Sequence, residues 1–250
     1  MAAQRQLCQQ DKDCAILFAR TPVPGRVKSR LWTHLTPEQA CQLHWACTQD
    51  TAALLNHALP QLPKWLFLSD APNADISLPS GFRCAVQEGA DLGERMAAAF
   101  TGAFASGARR VVIFGSDSPT LPERIPQQAF DSLDDSDLVL GPTEDGGYYL
   151  IGCRRFDPHL FQSVAWSTPR TLQQTLSNAE RLAYRVAVLE RWFDLDEWKD
   201  VERFLATAPQ GRSLPSNLAA FLQQLCSKSS KGSRLVYSGQ QPGRQNGNPG

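Results

Sequence analysis

The chain has 250 residues, enough for one large α/β domain or two small ones. Its 25 basic and 25 acidic residues leave no basic excess that would point to nucleic acid or an anionic membrane. Seven cysteines, an odd number with no Cys-x-x-Cys, argue against a disulfide frame or zinc site and for a reducing compartment, the cytoplasm. No apolar run reaches membrane-spanning length, and the first is too short for a signal-peptide core.

Residues 1–13 read as a loose lead-in, and the apolar run 14–19 as the first strand. Pro22, Pro24 and Gly25 then forbid regular structure at the start of segment 20–31. Its second half carries Arg26, Lys28 and Arg30. Inward backbone N–H groups and such cations hold phosphate, although the same residues also make an ordinary solvated loop. The spacing fits neither a P-loop nor a dinucleotide fingerprint. Thr36-Pro-Glu-Gln39 starts a helix: Thr36 caps it, Pro37 takes its first position and Gln39 closes a capping box. Leu43, Cys47, Leu54 and Ala58 give its stripe. His44 and His57 lie in this helix and read as structural, because no Cys, Asp or Glu stands at ligand spacing beside them.

Residues 64–69 and 83–87 are the second and third strands. Asp91 caps the next helix with Glu94 three residues on; Met96, Phe100 and Phe104 form its buried face, and Gly107 ends it. The run 111–114 reads as a strand buried on both faces. Gly115-Ser-Asp-Ser-Pro119 stops it abruptly. Asp117 therefore stands at the carboxyl end of a buried strand, where α/β sheets place ligands. Asp and Ser before Pro are equally ordinary turn chemistry. A helix over 122–133 and a strand over 137–142 follow. This alternation predicts a three-layer α/β fold, a mostly parallel sheet with helices on both faces.

The rhythm then breaks. Thr143-Glu-Asp-Gly-Gly147 joins that strand directly to the run 148–153. So little chain allows only an antiparallel excursion. Glu144 and Asp145 sit in this loop, where they also serve as turn residues before Gly-Gly. Trp166 opens a helix to about residue 177, and 184–189 is the last strand. Residues 193–196 lead into a helix over 197–205, and a final helix covers 217–225. From 227 to 250 the composition turns to Ser, Gly, Gln, Lys, Asn and Pro, an expected disordered tail. The body is one domain over 14–226.

Five stretches together resemble the nucleotide-diphospho-sugar transferase superfamily, the GT-A fold. Within it they look like the small bacterial glycosyltransferase-like family once catalogued as a domain of unknown function, which includes members assigned to arsenosugar biosynthesis. The first stretch is Phe18-Ala-Arg-Thr-Pro-Val-Pro-Gly25 with Lys28-Ser-Arg-Leu31. The others are Asp91-Leu-Gly-Glu-Arg-Met96, Gly115-Ser-Asp-Ser-Pro119, Gly141-Pro-Thr-Glu-Asp-Gly-Gly-Tyr-Tyr-Leu-Ile-Gly152 and Trp166-Ser-Thr168. They spread over roughly residues 14 to 205.

The resemblance implies roles. The first loop holds nucleotide phosphates through Arg20, the Gly25 backbone and the Lys28 and Arg30 cations. Gln87, Asp91 and Gly93 line the nucleobase and ribose pocket. Lys28 and Asp117 are the implied catalytic residues. Asp117 and Asp196 bind Mg²⁺ or Mn²⁺, a hard ion suited to a pyrophosphate. Glu144, Asp145, Gly146, Gly147, Tyr148 and Trp166 face the second substrate. Two departures from the family pattern matter. Asp196-Glu-Trp-Lys-Asp200 replaces Asp-Thr-Pro-Glu-Asp, so Asp194 competes with Asp196, which is equally suited to capping. Ser116-Asp117-Ser118 replaces Asp-x-Asp, so metal affinity depends on the nucleotide.

The implied activity is metal-dependent glycosyl transfer from a nucleotide-diphospho-sugar to a small acceptor. Lys28-Ser-Arg-Leu31 with the following Thr-Pro-Glu also looks like guanylyltransferases that activate 2-phospholactate. That implies the alternative, nucleotidylyl transfer from a nucleoside triphosphate to a phosphorylated small molecule with release of pyrophosphate. Gly146-Gly147-Tyr148-Tyr149, with close backbone approach and aromatic surface for a sugar ring, favours the first.

Overall fold

The computed structural model describes residues 12–72, 76–207 and 216–229. The strands are β1 (Lys12–Ala19), β2 (Lys64–Leu68), β3 (Phe82–Val86), β4 (Ala108–Gly115), β5 (Leu138–Pro142), β6 (Tyr148–Cys153) and β7 (Val186–Val188). The helices are α1 (Pro37–Ala58), α2 (Leu92–Ala105), α3 (Arg124–Asp135), α4 (Thr171–Arg181), α5 (Trp198–Thr207) and α6 (Ser216–Ser229). The strands form one sheet in the order β3-β2-β1-β4-β6-β5-β7. Among the described strands only β6 runs antiparallel, paired between β4 and β5. The mostly parallel three-layer fold with one antiparallel excursion is the one expected from the sequence.

Alternation across the pleat divides the core. Ile16, Phe18, Ile113 and Leu140 face α2 and α4, where Met96, Phe100 and Ala179 meet them. Leu17, Val112, Phe114 and Val139 face α1 and α3, where Leu55, Ile125 and Phe130 meet them. A further apolar layer packs the outer side of α1, through Leu43 and Cys47, against α5 and α6. The stripe expected on α1 is therefore two: Leu43 and Cys47 face outward to α5 and α6, while Leu54, Leu55 and Ala58 join the sheet side. The predicted capping box at Thr36 and Gln39 forms in full.

Several boundaries differ from expectation. Lys12 and Asp13 belong to β1 instead of the lead-in, because Asp13 Oδ2 meets the Arg110 guanidinium at 2.6 Å across the sheet. Helix α4 begins at Thr171, not Trp166. Ser167 adopts a left-handed φ of 58°, and Thr168 and Thr171 both donate to the Ala165 carbonyl, making a turn there. Helix α6 runs on to Ser229, into the stretch expected to be tail. The rest of that tail, residues 230–250, and residues 1–11 of the lead-in lie outside the described residues. Cys41, Cys47, Cys84 and Cys153 are free thiols. Among the described residues no helix is long and apolar enough to cross a membrane.

The sheet order positions the site. From β1 the chain turns by α1 to β2 on one side; from β4 it turns by α3 to β5 on the other. The loops after β1 and β4 diverge there and leave a crevice outside the carboxyl ends of the two strands, the switch point where open α/β sheets bind ligands.

Candidate active site

Lys28 and Asp117 reach this crevice from opposite sides, one from each diverging loop. Lys28 takes a left-handed φ of 50° and is followed by a 3-10 turn over Ser29–Leu31. Its side chain is only 4% exposed. The ammonium Nζ lies 2.6 Å from Asp117 Oδ1 and 2.7 Å from Asp196 Oδ1, and it donates to the Leu195 carbonyl at 2.6 Å. A third segment, after β7, is thus drawn across the crevice. Its register is fixed by the Leu195 N–H, which donates to the Asp117 carbonyl at 2.8 Å. Asp200 caps the start of α5 by accepting from the Asp196 and Glu197 N–H groups. The altered turn therefore leaves the Asp196 carboxylate on Lys28. Lys28, expected as a loop cation at the surface, is instead the buried centre of the site.

The electrostatics are one-sided. Three carboxylates, Asp117, Asp194 and Asp196, gather around one ammonium. Burial opposes charging of Asp117, but the Lys28 ammonium beside it holds its carboxyl below the ordinary range. Burial likewise opposes charging of Lys28, and Asp117 and Asp196 overcome it to keep the ammonium protonated. Asp194 feels the Lys28 ammonium only weakly. Its burial, with the negative charge of Asp117, pushes its carboxyl up to about 7, although the Ser118 hydroxyl donates to it. Asp117 keeps 41% of its side chain exposed while Oδ1 is buried, so its accessible part faces the crevice.

His44 was read from the sequence as structural, yet it belongs to the site. Its Nε2 is 2.9 Å from the Arg20 carbonyl, and Nδ1 is 3.9 Å from Asp117 Oδ1. Burial, with Lys28 nearby, lowers its pKa, so the ring stays neutral near pH 7. The ligand-spacing test missed it because its partner is 73 residues away in sequence. Polar residues at helical spacing on one face, His44, Thr48 and Thr51, all buried, were the available signal. His57 is exposed and 3.6 Å from Glu123, away from the crevice residues.

The remaining predicted residues fall into groups. Arg20 and Gly25 lie on the β1 loop; Gly25 has a left-handed φ of 77° and open space around it. Arg30 is exposed and 3.8 Å from Glu197. The Gln87 amide nitrogen donates to the Ala19 and Phe67 carbonyls, tying down the ends of β1 and β2. Asp91 spends its carboxylate capping α2 at the Glu94 N–H. Gly93 is required by packing, since a Cβ there would lie 2.5 Å from the Trp166 ring. Glu144, Asp145 and Gly146 line a cleft of about 380 Å³ with Leu172, Leu176 and Arg191. That cleft adjoins β5, two strands and so about 10 Å along the same edge from β4. Asp145 turns inward to Thr143 and to the Gly147 N–H. Tyr148 packs against the α2–α4 core and buries its hydroxyl, and Tyr149 is 3% exposed. The aromatic surface expected here is thus turned into the protein, because β6 is an interior strand.

Residues 39–168 match the family described as uncharacterized proteins conserved in bacteria (DUF2064). The chain belongs to this family. A crystal structure from Desulfovibrio desulfuricans G20, provisionally described as a nucleotide-diphospho-sugar transferase, shares 30% identity and a TM-score of 0.76. The match covers 89% of this DUF2064 chain and 98% of that one. A CMP:2-keto-3-deoxy-manno-octonic acid synthetase complexed with CTP aligns at 11% identity and TM-score 0.50, over 81% of this chain and 100% of that one. The 4-diphosphocytidyl-2C-methyl-D-erythritol synthase of Anaerococcus prevotii aligns at 9% identity and TM-score 0.51, over 79% and 96%. These two likenesses concern the fold. No curated protein matches the sequence.

Proposed function

We propose that the protein is a metal-dependent glycosyltransferase using a nucleotide-diphospho-sugar donor and a small-molecule acceptor. The observation that carries this reading is the convergence of Lys28, Asp117 and Asp196 at the switch-point crevice. The likeness to the Desulfovibrio protein supports the class of donor.

The donor set fits a hard divalent ion, Mg²⁺ or Mn²⁺: carboxylate oxygens of Asp117 and Asp196 already meet one cationic centre. Among the described residues no group of three His, Cys, Asp or Glu side chains is disposed to hold a metal by itself. The substrate's own phosphate oxygens must then complete the shell. When bound, such an ion offsets the charge that builds on a departing diphosphate.

The protein's own groups do the rest. Gly25, in open space on the β1 loop, offers backbone N–H groups to phosphate, and Arg20 and Arg30 add charge. Lys28 supplies a charge-assisted bond to the diphosphate as it leaves. Gln87 and Asp91 shape the rim for base and ribose by fixing the strand ends and the start of α2. Trp166 over Gly93 closes the floor behind them. The cleft at Glu144, Asp145 and Gly146, lined also by Leu172, Leu176 and Arg191, has room for an acceptor.

Nucleotidylyl transfer uses the same cations and metal, and the fold likeness to cytidylyl-transferring synthases favours keeping it as the second reading. The product decides. The purified protein is incubated with Mn²⁺ or Mg²⁺ and a panel of nucleotide sugars and nucleoside triphosphates with small acceptors. Release of a nucleoside diphosphate is expected. Pyrophosphate release from a triphosphate would establish the second reading instead.

A further inference from the structure

We propose that Lys28 holds the divalent ion's place in the nucleotide-free protein, so that the ion binds only after a diphosphate has drawn the ammonium away. This rests on the metal-dependent reading above. Three oxygens from three residues converge on Lys28 Nζ: Asp117 Oδ1 at 2.6 Å, Asp196 Oδ1 at 2.7 Å and the Leu195 carbonyl at 2.6 Å. Such hard oxygens are the donor type a divalent ion takes, with phosphates and waters completing its shell. An ammonium and a metal ion cannot share that point.

Charge and mobility supply the exchange. An arriving diphosphate adds two or more negative charges beside carboxylates already in excess. Lys28 sits on a flexible four-carbon stem and gains a new anionic partner. Once Nζ turns to the phosphates, Asp117 and Asp196 lose their counter-charge at the moment phosphate oxygens appear as further ligands. Binding is thereby ordered, phosphate before metal.

The test measures thermal shift and calorimetric binding with Mn²⁺ alone, inorganic pyrophosphate alone, and both. Wild type should respond to Mn²⁺ only with pyrophosphate. Lys28→Met should bind Mn²⁺ alone at least tenfold more tightly than wild type. Lys28→Met combined with Asp194→Asn also takes away the neighbouring carboxyl that burial and Asp117 push up to about 7, so that no further negative charge can develop beside the unpaired Asp117 and Asp196, and should show the same gain. Wild type that binds Mn²⁺ alone as well as the variants overturns the proposal and leaves the metal reading standing. Variants that ignore Mn²⁺ alone, while wild type responds to the pair, show that pyrophosphate merely completes the shell, and also overturn it. No Mn²⁺ response in any combination overturns both.

Discussion

The two edges of the sheet handle charge in opposite ways. Along the amino ends of the parallel strands, carboxylates are outnumbered by arginines. Asp13 meets Arg109 and Arg110, Asp134 meets Arg110, and Asp137 meets Arg154, Arg155 and Arg185. Burial disfavours a charged Asp137, but the Arg185 N–H with the Arg155 and Arg154 guanidinium groups brings its carboxyl down to about 2. In the buried cluster at the carboxyl ends the ratio is reversed, with Lys28 facing Asp117, Asp194 and Asp196. A carboxylate ringed by donors is finished and serves stability. A carboxylate surplus at a ligand-binding edge leaves work for an incoming cation, and removing the one internal cation exposes that surplus.

The largest expected effect of breaking this contrast is at Asp117. Asp117→Asn removes one of the two carboxylates on Lys28. Donor turnover should fall about a hundredfold or more, beyond the ten- to hundredfold cost of losing a partner outside the ligand shell. The melting temperature should gain nothing from Mn²⁺ plus nucleotide. A variant that keeps the wild-type metal-dependent shift removes Asp117 as a ligand.

Lys28→Met comes next, on stability. Deleting one partner of a buried pair typically costs about 3–5 kcal/mol. Asp117 and Asp196 stay 41% and 38% exposed, so water recovers part of that. We expect about 2 kcal/mol, or roughly 4–8 °C in Tm, by urea and thermal denaturation. A cost below half a kcal/mol would mark Lys28 as a surface cation after all.

Asp137→Asn tests the finished edge. A carboxyl brought from the ordinary 3.8 down to about 2 corresponds to about 2 kcal/mol. Its folded pKa lies below the unfolded one. The stabilisation is therefore present above about pH 4 and is lost as pH falls through about 2. The variant should lose that amount at pH 7, converge with wild type at low pH, and bind pyrophosphate with Mn²⁺ unchanged. A change in that binding would join the two edges.

The finished edge is also written in the sequence. Charges stand flush against the same end of each apolar run: Asp13 before Cys14, Arg110 before Val111, Asp137 before Leu138, Arg154 after Cys153 and Arg185 before Val186. The strands themselves, the Thr36 capping box and the antiparallel return at β6 were legible because they are local: periodicity, caps and loop length act within a few residues. The site was legible in parts. Asp117 at a strand end and Lys28 in a Pro/Gly loop announced themselves. Their meeting did not, since Lys28 and Asp196 are 168 residues apart and joined only by the sheet order. The same holds for His44. Tyr148 and Tyr149 misled because the sequence of a turn does not reveal which face of an interior strand its aromatic residues will take.

Asp194→Asn gives the smallest effect and the clearest sign. Burial and Asp117 push the Asp194 carboxyl up to about 7, from an ordinary 3.8. The folded state thus holds a proton that the unfolded state has released. Stability from this group is fully present below about pH 4 and is lost as pH rises through about 7. Asparagine stays neutral throughout and still accepts from Ser118. The variant should match wild type near pH 4 and exceed it at pH 8, by about 1 kcal/mol after allowing for solvent at this half-buried group. Urea denaturation without metal at the two pH values measures it. Asp137→Asn loses stability at high pH where Asp194→Asn gains it, so the two edges should give slopes of opposite sign. Equal differences at both pH values would show that Asp194 titrates normally and that the carboxyl edge carries no unrelieved charge.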